Sequence, residues 1–150
     1  MGCDIHTQAE KKINGKWESL NFSPFHWRSY GMFGFLANVR NYSAVPFLSE
    51  PRGLPEDIDD QYLDYDNLLG EHSFSWLSIE ELINFDYDQE FEDRRYTRQV
   101  SERFWSGSET CQPGEGSKTT YREFLGENFF EDLKKLQALG AERIVFGFDS

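Results

Sequence analysis

The chain opens with a run in which mostly apolar residues alternate with polar ones, which is the pattern of a β-strand that buries one face. The two faces carry Cys3, Ile5, Thr7 and Ala9 on one side and Asp4, His6 and Gln8 on the other. The dipeptide Asn14-Gly15 follows the run, and Asn-Gly favours the positive φ angles of a type I′ turn. Residues 4–13 and 16–20 are therefore predicted to form a β-hairpin.

Three later segments show the spacing and capping residues of helices. Apolar residues recur at helical intervals over 30–40 and predict a short helix, although its two glycines each lower the helix propensity by up to about 1 kcal/mol. Ser78 and Glu81 match a capping box that opens a second short helix. A further capping box opens a long amphipathic helix over 121–139, and Gly140 ends it.

The remaining segments complete the prediction of the fold. Residues 143–148 alternate as a strand whose apolar side chains face the core. Residues 86–104 are ambiguous between helix and strand, and the glycine- and serine-rich segment 106–118 is predicted to be a mobile loop. We predict an α+β fold in which the N-terminal hairpin and the C-terminal strand build a small antiparallel or mixed sheet, with helices packed against it. Residues 1–150 are predicted to form a single domain.

The composition narrows the classes of function. The chain has 150 residues and a net charge of −12, which argues against duplex nucleic acid as a partner, because binding to DNA phosphates requires a basic face. No apolar run approaches the roughly 20 residues that span a bilayer, so no membrane partner is predicted. The two cysteines lie far apart and match no metal-ligand spacing, as in many proteins of the reducing cytoplasm. We therefore expect a cytoplasmic protein with an acidic surface.

Three arginines stand in segments that are rich in turns and aromatic residues: Arg28, Arg40 and Arg52. Guanidinium groups bind phosphates through two parallel hydrogen bonds, and neighbouring rings can stack on a nucleobase. In so acidic a chain these arginines are candidate anion ligands, and Arg40 is the strongest because we expect it at the end of the first helix. The alternative is that they form ion pairs with the many carboxylates.

The segment 72–76 precedes a predicted helix start and contains an imidazole, two hydroxyls and an indole ring. Hydroxyl groups and a helix N-terminus suit a phosphate or a ribose, so His72 and Ser73 join the candidate ligand-binding residues. Trp76 or Tyr30 is expected to stack on the base. Neither serine stands in a GxSxG motif, and no catalytic residue is assigned.

A metal site is an alternative interpretation of the first strand. Asp4 and His6 share one face of it, and His72 is a third candidate ligand from elsewhere in the chain. Imidazole and carboxylate groups suit Zn²⁺, Mn²⁺ or Fe²⁺. The competing interpretation is that these are ordinary strand residues with hydrogen-bonded neighbours, so no cofactor is assigned.

Four short motifs are distributed along the chain: MGCDIH at 1–6, PRGLP at 51–55, HSFSWL at 72–77 and VFGFD at 145–149. Together they resemble a family of small bacteriophage proteins with no established activity, over nearly the whole chain. Trp27 departs from the pattern of that family, which has an acid before the arginine. The resemblance implies a phage setting. By analogy with small phage proteins that counter host defence, it also implies sequestration of a nucleotide immune signal in a compact, usually oligomeric fold.

Three functional hypotheses follow. The leading one is a phage accessory protein that binds a small nucleotide-derived ligand without turning it over, and it is compatible with a homo-oligomer. The second is a metal-dependent hydrolase of phosphodiesters that uses Asp4, His6 and His72 as metal ligands. The third is an interaction protein whose acidic surface, densest over 50–66, mimics nucleic acid and inhibits a host factor.

Overall fold

The computed structural model describes residues 2–58 and 69–150, so part of the acidic stretch 50–66 lies outside the described residues. The described residues form two compact units. The first contains residues 2–28, 51–58, 69–85 and 127–150, and the second contains residues 29–50 and 86–126. The single domain over 1–150 stays a prediction.

Helices and short strands occur in both units. Along the chain they are β1 (Asp4–Ile13), β2 (Lys16–Ser19), α1 (Tyr30–Ala37), β3 (His72–Ser78), α2 (Ile79–Asn84), β4 (Glu90–Asp93), β5 (Arg95–Gln99), β6 (Trp105–Thr110), β7 (Ser117–Thr120), α3 (Tyr121–Leu125), α4 (Glu127–Ala138) and β8 (Arg143–Asp149). No helix in the described part of the chain is long and apolar enough to cross a bilayer.

The first unit contains a four-stranded sheet with the strand order β2-β1-β8-β3, in which every neighbouring pair is antiparallel. The hairpin β1–β2 and the C-terminal strand β8 both belong to this sheet, so the predicted α+β class is confirmed. Asn14 and Gly15 have φ angles of 52° and 80°, as the predicted type I′ turn requires. The hairpin therefore forms where local backbone preference places it.

One face of this sheet carries the apolar core of the first unit. Across the β1–β8 pair, buried residues face one another as Ile5 with Phe148, Thr7 with Phe146 and Ala9 with Ile144. The predicted inward alternation of the last strand is thus confirmed. On the opposite face of β8, Val145 packs against Leu69, so the central strand is buried on both sides.

The capping box predicted before α2 is present. Ser78 Oγ accepts a hydrogen bond from the Glu81 N–H at 3.1 Å, and Glu81 Oε2 accepts one from the Ser78 N–H at 2.8 Å. These bonds satisfy backbone donors that a helix start would otherwise leave unpaired. They also hold the Glu81 carboxylate beside the end of β3.

The second unit contains α1, α3 and two small antiparallel sheets, β4–β7 and β5–β6. Helix α1 ends at Ala37, three residues before the predicted end at Arg40. The reason is Asn38, which adopts a left-handed conformation with a φ angle of 57° and donates its N–H to the carbonyl oxygen of Gly34. The predicted helix exists, but Arg40 lies outside it.

The glycines that weakened the prediction of α1 have a packing role. A Cβ atom at Gly34 would lie 2.5 Å from Asn41 Oδ1, and a Cβ atom at Gly31 would lie 2.7 Å from the ring of Phe124. The Asn41 amide in turn accepts from the Val45 N–H at 3.0 Å and donates to the Val45 carbonyl oxygen at 2.9 Å. Close approach of these side chains therefore requires glycine, at the cost of helix propensity.

Two other predictions are wrong in detail. The segment 106–118 is not one loop, because β6 occupies its first part and pairs with β5. The long helix over 121–139 is interrupted at Gly126, whose φ angle of 83° and ψ angle of 169° are not helical. Its N–H closes α3 on the carbonyl oxygen of Arg122, and α4 begins at the next residue. The helix does end before Gly140, which has a φ angle of 70°, as predicted.

Candidate ligand-binding cleft

The predicted ligand-binding residues are divided between the two units. The first unit holds Arg28, Arg52, His72, Ser73 and Trp76, and the second holds Tyr30 and Arg40. In the first unit, Arg52 and Trp76 are in direct contact and line one cleft. This cleft is the candidate site.

The guanidinium group of Arg52 lies over the indole ring of Trp76, with its central carbon 4.8 Å from the ring centroid. Its Nη1 donates to the Trp76 carbonyl oxygen at 3.2 Å and to Glu81 Oε2 at 2.9 Å, and its Nη2 donates to Glu81 Oε1. These bonds from Arg52 are the main reason that the pKa of Glu81 is lowered to about 2. Arg52 is therefore a fixed part of the cleft wall.

Protonation of Glu81 is expected to destabilise the protein in acid. The pKa of this carboxyl is about 2 in the fold and ordinarily 4.5. The ionised carboxylate therefore stabilises the fold fully at pH values above 4.5, and this stabilisation is lost as the pH falls toward 2. The side chain is 34% exposed, so solvent screening reduces the effect to on the order of 1 kcal/mol. Between about pH 6 and about pH 3, the free energy of unfolding measured with urea should fall more for the wild type than for Glu81→Gln. Equal losses in the two proteins would contradict the assignment.

A second arginine–tryptophan pair lines the same cleft. The guanidinium carbon of Arg143 lies 3.7 Å from the ring centroid of Trp17. Arg143 Nε donates to Glu10 Oε1 at 2.7 Å, and Nη1 donates to Asp57 Oδ1 at 2.8 Å. Trp17 Nε1 donates to Asp57 Oδ2 at 2.7 Å, so both oxygens of this carboxylate are bound. The bond from Arg143 is the main cause of a lowered pKa of Asp57.

The register of the sheet explains why these residues meet. Glu10 of β1 and Ser78 of β3 both lie directly opposite Arg143 of β8. Trp76 lies opposite Val145, two residues further along β8 and therefore on the same face. Arg143 and Val145 point away from the core face that Ile144 occupies. The cleft thus lies on the face of the sheet opposite the apolar core.

The cleft has a volume of about 600 Å³, within the usual range of small-molecule sites. Its lining consists of aromatic, apolar and charged side chains from four segments of the first unit: Trp17, Arg52, Leu54, Pro55, Glu56, Asp57, Trp76, Ser78, Glu142 and Arg143. Two indole rings with adjacent guanidinium groups give it planar, polarisable walls. Such walls favour a flat aromatic ligand.

The charges of the cleft determine which part of a ligand it accepts. Its two guanidinium groups already donate to carboxylates, and Glu56, Asp57 and Glu142 add negative charge. A phosphate group in the cleft would therefore meet acids without a free guanidinium fork. Outside these walls, the ammonium group of Lys12 lies 5.7 Å from the ring centroid of Trp17. The cleft suits an aromatic ring, and its edge offers a cation.

Arg28 forms an exposed ion pair. Its Nε donates to Asp4 Oδ1 at 2.9 Å, and its Nη2 donates to Asp4 Oδ2 at 3.0 Å. These bonds lower the pKa of Asp4. The sequence alternative, in which an arginine pairs with a carboxylate, therefore describes Arg28 in this structure, and its role as an anion ligand stays a prediction.

The histidines named as metal ligands have other partners. His6 Nε2 lies 2.5 Å from Asp149 Oδ2. His72 Nδ1 lies 2.8 Å from Ser73 Oγ, and its Nε2 lies 3.0 Å from Ser150 Oγ. Over residues 2–58 and 69–150, no three His, Cys, Asp or Glu side chains form a group that could hold a metal ion. The metal-dependent hydrolase stays a prediction.

Tyr30 and Arg40 meet in the second unit. The guanidinium carbons of Arg40 and Arg95 each lie 5.5 Å from the ring centroid of Tyr30, and that of Arg95 lies 5.8 Å from the ring centroid of Tyr42. The structure thus adds Arg95 and Tyr42 to the predicted pair. Arg40 has a φ angle of 49° and follows α1, so the helix dipole argument for it does not hold. Its binding of a ligand stays a prediction.

Sequence reasoning assigned no site role to the second arginine–tryptophan pair, Arg143 and Trp17, or to its two carboxylate partners, Glu10 and Asp57. One signal was present, because Glu10 continues the polar face of the first strand and Arg143 opens the last one. Which acid faces which arginine depends on the strand register, and a single strand does not carry that information.

The cleft combines stacked indole and guanidinium groups with carboxylate acceptors, and a lysine lies at its edge. These side chains are the observation that favours a ligand-binding role. Comparisons of the chain with protein-family models, with curated proteins and with solved structures find no match.

Proposed function

We propose that this protein binds a small nucleotide-derived molecule in the cleft lined by Trp17 and Trp76 and does not turn it over. The observation that carries this proposal is the pair of tryptophan rings, each in contact with an arginine that is itself held by a carboxylate. Rigid aromatic walls lose little conformational entropy when a flat base stacks on them, so they favour binding of a nucleobase.

The charge distribution supports a specific orientation of the ligand. The base enters the cleft, where the guanidinium groups are already neutralised and the carboxylates accept hydrogen bonds from base N–H groups. The phosphate stays outside, near Lys12. Arg52 then acts by fixing the Trp76 ring, and it does not bind the phosphate itself.

The biological setting is part of the proposal and derives from the resemblance to bacteriophage proteins. Sequestering a nucleotide immune signal in the host cytoplasm would suit a small accessory protein of this kind, with or without assembly into a homo-oligomer. Cyclic dinucleotides, ADP-ribose and simple mononucleotides are therefore the ligand classes to test first.

Titration calorimetry of the intact protein with cyclic di-GMP, cyclic di-AMP, ADP-ribose, GMP and AMP tests the proposal. At least one of these should bind, and heating the complex should release it chemically unchanged. Trp76→Ala and Trp17→Ala should each weaken that binding about 10-fold or more, because stacking contributes roughly 1–3 kcal/mol per base.

Trp27→Ala is the matched control. Trp27 belongs to the same unit but packs edge-on against Phe25 and His26 and is not part of the cleft. Its replacement should leave the affinity unchanged. The proposal fails if none of the five compounds binds, if the bound compound is recovered cleaved, or if Trp27→Ala weakens binding as much as Trp76→Ala does.

A further inference from the structure

We infer that Glu56 makes the cleft selective for guanine over adenine, an inference that rests on the proposed binding function. Among the charged residues that line the cleft, Arg52, Asp57, Glu142 and Arg143 already have hydrogen-bond partners. Glu56 has none within the described residues. Of the five charged residues that line the cleft, Glu56 is thus the one to which the described residues provide no hydrogen bond.

The position of Glu56 is fixed by its neighbours. The Ile58 N–H donates to the Pro55 carbonyl oxygen at 3.2 Å and closes a turn around it. The next residue, Asp57, is held at both carboxylate oxygens, by Arg143 at 2.8 Å and by Trp17 at 2.7 Å. These bonds hold the backbone that carries Glu56, whose exposed side chain lines the cleft.

A carboxylate distinguishes guanine from adenine by the hydrogen-bond donors that each base presents. An ionised carboxylate only accepts hydrogen bonds and offers two oxygens side by side. Guanine presents two adjacent donors, N1–H and the 2-amino group, which match those oxygens in two parallel bonds. Adenine has an acceptor at N1, whose lone pair opposes the carboxylate, and no 2-amino group. Its 6-amino group is the one donor on this edge, so adenine makes a single bond at most, beside that repulsion. Hypoxanthine keeps N1–H but lacks the amino group, so it makes one bond of the two.

The test compares GMP, IMP and AMP by titration calorimetry on the intact protein. GMP should bind about 10-fold to 100-fold more tightly than AMP, as expected for one well-matched bidentate pair, and IMP should lie between them. Glu56→Gln should abolish the preference, because the amide places a donor against the donors of guanine. AMP should bind the variant at least as tightly as it binds the wild type.

Glu131→Gln is the matched control, because Glu131 is an exposed carboxylate of the same unit that lies on α4 and does not line the cleft. It should keep the preference for GMP, and melting temperatures of both variants should match the wild type. Equal affinities of the wild type for GMP and AMP overturn this inference and leave the binding function standing. A preference that survives Glu56→Gln, or is lost equally in Glu131→Gln, also overturns it. Absence of all nucleotide binding removes the proposed function itself.

Discussion

Glu10→Gln is expected to lower the free energy of unfolding by about 3 kcal/mol, because it leaves the guanidinium group of Arg143 buried with only one carboxylate. Glu10 is 0% exposed and the Arg143 side chain is 6% exposed. The remaining partner, Asp57, is 57% exposed and contributes less in contact with water. Urea unfolding at neutral pH measures the loss.

A double substitution of Glu10 and Arg143 tests whether the buried, incompletely paired charge is the reason for this loss of stability. Within the described residues, Glu10 Oε2 and Arg143 Nη2 have no hydrogen-bond partner, so the buried pair is incompletely satisfied. Replacing both residues with apolar ones of similar size, Glu10→Leu together with Arg143→Met, should restore most of the stability. Asp4→Ala, which breaks the exposed pair with Arg28, is the control and should change stability little. The interpretation fails if Glu10→Gln costs no more than this control.

Gly70→Ala is expected to lower the free energy of unfolding by about 3 kcal/mol or more. Gly70 has a φ angle of 87°, which costs any other residue conformational energy. In addition, a Cβ atom there would lie 2.5 Å from the carbonyl oxygen of Phe148 and 2.7 Å from its carbonyl carbon. These atoms belong to the central strand β8 and cannot move without disturbing the sheet.

Gly53→Ala separates the conformational cost of a positive φ angle from the steric cost of an added Cβ atom. Gly53 has a similar φ angle of 82°, but nothing lies within 4 Å of a Cβ atom placed there. The free energy of unfolding of Gly53→Ala should therefore fall only by the conformational cost, about 1 kcal/mol. Thermal or urea unfolding of the two variants provides the comparison. Equal losses would mean that the close approach of Phe148 to Gly70 contributes nothing.

Both predictions depend on contacts that the sequence pattern does not reveal. The candidate site is the clearest case: of its residues, sequence reasoning identified Arg52 and Trp76, because they stand in a turn-rich segment and before a helix start. It expected Arg52 to bind phosphate, whereas Glu81 binds its guanidinium group in the fold. That pairing joins residues 29 positions apart in the chain, so it follows from packing and not from local sequence.

The sequence by itself determined the hairpin, the capping box of α2 and the core face of the last strand. These features depend on local physics: the positive φ angles that Asn-Gly tolerates, the bond from a serine side chain to a nearby N–H, and the period of two along a strand. Each can be recognised from a few consecutive residues.

Only the tertiary structure decided where α1 and α3 end and which side chains share the cleft. Asn38 and Gly126 end helices where the local apolar spacing would allow them to continue, because their backbones adopt non-helical conformations. The cleft forms because the β1–β8 register places Glu10 opposite Arg143, residues 133 positions apart. A shift of one residue would turn these side chains to the other face of the sheet, so the site is a property of the register, which depends on the packing of the whole core.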